Sequence, residues 1–400
     1  MPTLAAGYAT DGGRAMAEED DGISREAENV ISGDDAHETL KLGQDGFNKW
    51  AADNPETKID LSRHEVKDDL NCDGFIFRGE VDFSGATFHK SVSFKGAEFS
   101  RDVSMSSAGF EGSFSASHAR FYIATFDHTQ FSGSTKLNFA TFLHPVDFSH
   151  ARFRDDLKII NSEFHSTLQL IGSDFRGKTS FSWTKFDGGL GLAKTTFQDN
   201  TAFLGSQIKL SLDLSNSKFT VVPYLQLAEL PPQISLHGMT IDRSRGYTQD
   251  DEALLCKLRE LASSTRDHDR EQYFFAHEVR AARMDQNVAE QIPGYLYEWC
   301  SNFGRSVWRP VFGLLGIWLA SAVFYIRFAE TGFTYPLSEQ ALGHGFQTSA
   351  SLLLPFLAAS RHQPHHQIDG WLAALAFVEG LLGLVMIFLI GLALRNRFRI

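Results

Sequence analysis

The chain has 400 residues, enough for two or three domains, and its 49 acidic against 37 basic side chains give a formal net charge of −12. Its three cysteines, Cys72, Cys256 and Cys300, are odd in number and far apart, which excludes a disulfide framework and fits a reduced, cytoplasmic setting. The charge is uneven: residues 1–50 hold eleven acids and four bases, whereas residues 61–219 hold eighteen acids and seventeen bases.

Residues 1–42 have no apolar period and carry Glu18-Glu19-Asp20-Asp21 and Asp34-Asp35, so they read as a disordered acidic tail. The start lacks the basic region and apolar run of a signal peptide. Within 43–60, Phe47, Trp50 and Ala51 fall at helical spacing. They predict a short N-terminal capping helix, because the open end of a stacked fold must be covered. A link through Asn54-Pro55 leads into Asp60-Leu61-Ser62.

Residues 61–219 obey one rule. An apolar residue, most often Phe, recurs at alternating steps of five and six. The anchors include Phe83, Phe88, Phe94, Phe99, Phe110, Phe148, Phe153, Phe164, Phe175, Phe181, Phe186 and Phe197, and Cys72 occupies one slot of the same register. The register slips once, by one residue, between Phe121 and Phe131. A small or branched residue stands two places before each anchor, as Ala86 before Phe88 and Val92 before Phe94. Positions i−2 and i share one face of an extended strand. Each segment is therefore a tiny strand with one small and one large inward residue. The Gly, Ser, Asp and Lys between them suit tight corners. Such spacing holds no face of a helix, and its length means a stacked repeat. At 22 residues per coil, 61–219 makes seven coils and a rod of roughly 35 Å.

Further on, Val221-Val222-Pro223-Tyr224-Leu225 breaks the period and Pro231-Pro232 ends it, so 220–247 reads as a C-terminal cap with a last extended piece at 233–241. In 248–290, Thr248 with Asp251 starts a helix whose stripe is Leu254, Leu255, Leu258, Leu261 and Ala262. A second helix at about 267–286 completes a helical hairpin, read as a spacer with its own small core, the alternative being a docking element. Residues 291–400 hold two apolar runs, 311–328 and 371–394, each long enough to cross a bilayer. Arg305 and Arg309 precede the first, and Arg395, Arg397 and Arg399 follow the second. Basic flanks place both termini and the rod on the cytoplasmic side. A third apolar piece, 346–359, is broken by Pro355 and too short to span; the favoured reading is an interfacial anchor, the other a re-entrant pore helix.

The units Phe83-Ser84-Gly85-Ala86-Thr87-Phe88 and Phe148-Ser149-His150-Ala151-Arg152-Phe153 resemble the pentapeptide-repeat family in its Phe-centred variant. The resemblance covers 61–219 and implies a right-handed quadrilateral β-helix, with bulged corners where the step is six. More loosely, Tyr297-Glu298-Trp299, Gly304-Arg305-Ser306, Arg309-Pro310 and Leu352-Leu353-Leu354-Pro355 resemble a group of bacterial membrane-bound pentapeptide-repeat proteins. That implies an inner-membrane location and a two-span module sometimes described as channel-like.

Catalytic and cofactor signatures are missing: there is no P-loop, no HExxH, no nucleophile elbow and no paired-cysteine metal site. Gly188-Gly189-Leu190-Gly191 lacks a dinucleotide frame, and His277-Glu278 lacks the second His of a zinc helix. His362, His365 and His366 around Pro364 suit a solvated loop, with a metal or pH response as the alternative. The reading is non-enzymatic, with no cofactor and no metal. Glu379, alone in the second run beside Gly380 and Gly383, is the candidate functional residue of the membrane part, since intramembrane carboxylates are costly. The expected partners are the lipid bilayer, an unidentified protein on the β-helix and further copies of the chain. The leading reading is a membrane-anchored scaffold or interaction protein. An oligomeric two-span channel is the alternative. A DNA-mimicking topoisomerase binder is disfavoured, because a rod with a net charge of −1 does not reproduce a phosphate array, and nucleic acid is not expected as a partner.

Overall fold

The computed structural model describes residues 29–242, 246–328, 339–353 and 371–398. The run Glu18-Glu19-Asp20-Asp21, the histidines His362, His365 and His366, Arg399, and the 354–359 half of the third apolar piece lie outside these residues.

The repeat becomes a β-solenoid of four faces. Most strands are two residues long, one side chain inward and one outward, and every pairing is parallel to the strand one coil away. One face stacks nine strands, from Glu65–Val66 to Thr240–Ile241, or about 38 Å at ~4.7 Å per step. Two faces carry continuous phenylalanine ladders. Phe88, Phe110, Phe131, Phe153, Phe175, Phe197 and Phe219 stack with centroids 4.7–5.2 Å apart. Phe77, Phe99, Phe121, Phe142, Phe164 and Phe186 do the same at 4.5–5.2 Å. Phe83, Phe94, Phe148 and Phe181 sit on the other two faces, among aliphatic anchors, and are equally buried. Burying each ring contributes about 2 kcal/mol.

The five-residue steps close through tight turns with a left-handed residue, as at Gly85 (φ +67°), where Ala86 N–H donates to the Phe83 carbonyl at 3.0 Å. The single slip in the sequence is a bulge: Phe121 pairs with Phe99 but Ile123 pairs with Asp102, so Tyr122 faces two residues, Ser100 and Arg101. That coil has one residue fewer, and the period resumes beyond it.

Both ends of the solenoid lie outside the expected limits. Val30–Ser32 adds a parallel strand to Lys58–Asp60, and helix α1 (Gly33–Leu40) buries Ala36 and Leu40. The stretch 29–42 is therefore ordered structure and not acidic tail; its apolar residues are too sparse to show a period. At the other end the register continues past 219. Leu225, Leu236 and Ile241 are buried anchors, and Gln233–Ser235 and Thr240–Ile241 pair with the coil before them. The prolines fall in a corner, where Pro231 forgoes the ladder bond that Asp187 and Lys209 make to the Phe164 and Phe186 carbonyls in the two preceding coils.

Each end is plugged. Helix α2 (Gly43–Asp53) stacks Phe47 on Phe75 at 4.4 Å. Its Asn48 amide donates to the Gly74 carbonyl (3.1 Å) while Oδ1 accepts from Ile76 N–H (2.8 Å), closing a free strand edge. Helices α3 (Asp251–Ser264) and α4 (His268–Ala282) cover the far end. Tyr273 accepts from Ile241 N–H (2.8 Å) and its hydroxyl donates to the Ile241 carbonyl (3.2 Å). Leu254, Leu255, Leu258 and Phe274 belong to the same hydrophobic cluster as the phenylalanine ladders. The hairpin is thus the plug of the rod, not a spacer with its own core.

Candidate functional site

Beyond the plug, helix α5 (Val288–Ser301) starts at a capping box, with Asn287 N–H donating to Glu290 at 3.3 Å. It is clamped to α4 through Glu298, which accepts from Arg280 (2.8 Å) and Arg283 (2.6 Å). Burial alone would raise the Glu298 carboxyl, but the two guanidinium groups hold it below the ordinary carboxylate range.

Three helices follow: α6 (Trp308–Phe328), α7 (Glu339–Leu353) and α8 (Trp371–Arg397). Over Trp308–Ile326 and Ala374–Arg397 the chain is long and apolar enough to cross a bilayer. Their large side chains turn mostly outward, with Phe377 74% and Phe388 65% exposed. The basic ends of the two meet, since the Asn396 amide donates to the Gly304 carbonyl at 3.5 Å. The rod plug joins them through Gln272, which donates to the Asn396 carbonyl at 3.3 Å.

Helix α7 sits in the wedge between α6 and α8. A Cβ on Gly345 would lie 2.9 Å from the Ala322 carbonyl oxygen, and one on Gly383 would lie 2.6 Å from the Leu353 side chain, so both glycines are needed for the approach. Gly380 faces the Leu352 carbonyl, whereas Gly316 faces open space. The Trp318 indole donates to the Phe346 carbonyl at 3.2 Å. These contacts run α7 back along α6 and end it against the middle of α8.

Glu379 lies where the three helices meet and is 1% exposed. Tyr325 of α6 donates to it at 2.8 Å, Ser349 of α7 donates to its other oxygen, and Ser321 of α6 adds a further hydroxyl. The Ser349 hydroxyl also lies 3.1 Å from the Trp318 carbonyl oxygen. A buried carboxylate is tolerable here because hydroxyls from two other helices satisfy it. The carboxylate faces side chains of the neighbouring helices and not lipid. Sequence reasoning singled out Glu379 but missed Ser321 and Ser349. Their signal was weak: small hydroxyls at least 30 residues from their acid, Ser349 being one of three in Thr348-Ser349-Ala350-Ser351.

The outer surface of the rod has one further feature. At one corner, left-handed positions of successive coils hold His118, Phe139, Asn161, Trp183, Gly205 and Leu227. Phe139 stacks on His118 at 4.7 Å, and the Trp183 ring lies over Gly205. Phe139, Trp183 and Leu227 are 50%, 52% and 75% exposed and form an apolar ridge down this corner, interrupted by Asn161 and Gly205.

The register, the four faces and the stacked rings define a β-solenoid built from five-residue units. Residues 73–115 match the family model described as Pentapeptide repeats (9 copies). The same pairing continues through the coils on either side, so the solenoid is a pentapeptide-repeat β-helix. No curated protein and no solved structure matches the chain.

Proposed function

We propose that this is a non-enzymatic, membrane-anchored scaffold: a pentapeptide-repeat rod held at the cytoplasmic face of a bacterial inner membrane and presented to a protein partner. The observation that carries it is the coupling of a plugged, soluble rod to two long helices that expose apolar side chains along their length. Water would not tolerate such a surface, and lipid would favour it. The basic ends of α6 and α8 lie together beside the rod, which supports a cytoplasmic position for the rod and the C-terminus. The apolar ridge is the best candidate surface for the protein partner. Left-handed backbone costs a non-glycine residue about 1 kcal/mol, and Phe139, Trp183 and Leu227 give nothing to the core in return. The rod's near-neutral charge speaks against mimicry of DNA.

Two measurements test the reading. The protein should stay with membranes through alkaline carbonate extraction, and reporters placed after Ile400 and within 361–368 should occupy opposite compartments. Release by carbonate, or one compartment for both reporters, would sink it.

A second reading, an oligomeric cation channel, draws on α7, which dips to the middle of the long helices beside Glu379. In that reading copies of the module surround a path lined by carboxylates, and Glu379→Gln alters conductance. Planar-bilayer recordings of wild type and Glu379→Gln decide it. The leading reading expects no current from either.

A further inference from the structure

We propose that the pocket where the rod plug, α5 and α6 converge binds the phosphate of an anionic phospholipid. The lipid as source of the phosphate rests on the membrane reading above. The pocket is a cavity of about 640 Å³, lined among others by Asp242, Tyr273, Arg280, Glu298, Arg305 and Arg309. Its acids are committed: Glu298 is held by Arg280 and Arg283, and Asp242 has a partner of its own. Two of its cations, Arg305 and Arg309, are not. Among the described residues Arg305 has no ion pair; its guanidinium lies 5.5 Å from the Tyr273 ring. Among the described residues the Arg309 guanidinium bonds the Glu298 carbonyl, at 3.2 Å, and no carboxylate. Burial and the neighbouring Arg270 hold Arg305 below the usual arginine range, and Asp269 nearby offsets them only in part. Paired arginines of this kind suit a phosphate, which accepts from two forks at once.

The surroundings select the lipid over a soluble phosphate. Arg309 is bonded to the end of α5 and follows Trp308, which stacks on Phe312 at 6.0 Å. Trp308 and Phe312 are exposed, and α5 presents Ile292, Tyr295, Leu296 and Trp299 outward, Trp299 at 76%. These spacings of three and four make one apolar stripe, the pattern of a helix lying in the headgroup layer. A polar mouth bordered by an apolar shelf fits a headgroup with its acyl chains. Inorganic phosphate has no use for the shelf.

The full-length protein, purified in detergent, is loaded with phosphatidylglycerol or phosphatidylcholine, and the retained lipid is counted by native mass spectrometry. Wild type should retain phosphatidylglycerol preferentially. Arg305→Gln with Arg309→Gln should weaken retention by about tenfold or more, the worth of losing charge-assisted bonds, at an unchanged melting temperature. Trp299→Ala should weaken it with both arginines in place. Equal retention by wild type and the arginine variant overturns the proposal. So does displacement by inorganic phosphate at concentrations comparable to the lipid, which would assign the pocket to a soluble anion. Failure of carbonate extraction would remove the membrane reading alone, since retention in detergent is measured without a membrane.

Discussion

The solenoid and the three-helix module bury polar groups by opposite means. In the rod, inward Ser and Thr take the small slot, and except at Thr135 and Thr179 most of them bond nearby backbone: Thr129 to the Met105 carbonyl (2.8 Å), Ser173 to Phe148 (2.7 Å), Thr184 to Ile159 (2.7 Å) and Ser217 to Leu214 (2.6 Å). Each partner is a backbone oxygen that the stack supplies at every coil. In the module the buried Glu379 depends on side chains from two other helices. A repeat spreads its polar cost over many equivalent sites, whereas a helix wedge concentrates it in one that must be complete.

The largest expected effect is in the rod. Phe153 stacks between Phe131 and Phe175, 4.9 Å from each. Phe153→Asp would bury an unpaired charge in a ladder that cannot relax, and should cost about 4 kcal/mol or more. Urea denaturation followed by circular dichroism would show the whole rod unfolding earlier. A loss confined to a local opening would break the picture of one cooperative stack. The module should respond less and more locally. Gly383→Leu would push α7 off α8 and leave Glu379 short of a donor, at about 1–3 kcal/mol by overpacking. Proteolysis within α7 should accelerate while the rod's urea midpoint stays put; a coupled shift of both would mean that the two regions fold as one. The smallest effect belongs to the clamp between them. The Glu298 carboxyl is depressed in the folded protein, so its contribution is full above the ordinary glutamate pKa and is lost as pH falls through the lower, folded value. Acidification from about pH 5 should cost about 1–2 kcal/mol at this joint. Glu298→Gln should remove that step from the pH profile of thermal stability.

The contrast also decides what could be read in advance. In the rod, local spacing is the structure: Phe88 and Phe110 stack because they are one period apart, and the slip near Phe121 marks the bulge at Tyr122. The ends were harder, because one strand such as Val30–Ser32 has no period of its own. The Val221–Leu225 break was misleading in the same way: Leu225 lies one period after Phe203, but no Phe marks it. In the module, hydropathy gives the two long helices and the oddity of Glu379, but not its company. Ser349 reaches that acid only through the depth to which α7 descends, and that depth is set by Gly345 and Gly383 packing, which leaves no periodic trace.

The two plugs have a consequence for length. Asn48 and Tyr273 close the first and last strand edges by bonding backbone atoms, not the side chains of particular coils. The rod is therefore a ruler with fixed end fittings. Inserting or deleting one 22-residue unit in its middle would change the distance between α2 and the membrane helices by about 4.7 Å and leave both fittings in register. Reach is thus free to vary in quantised steps while attachment stays constant.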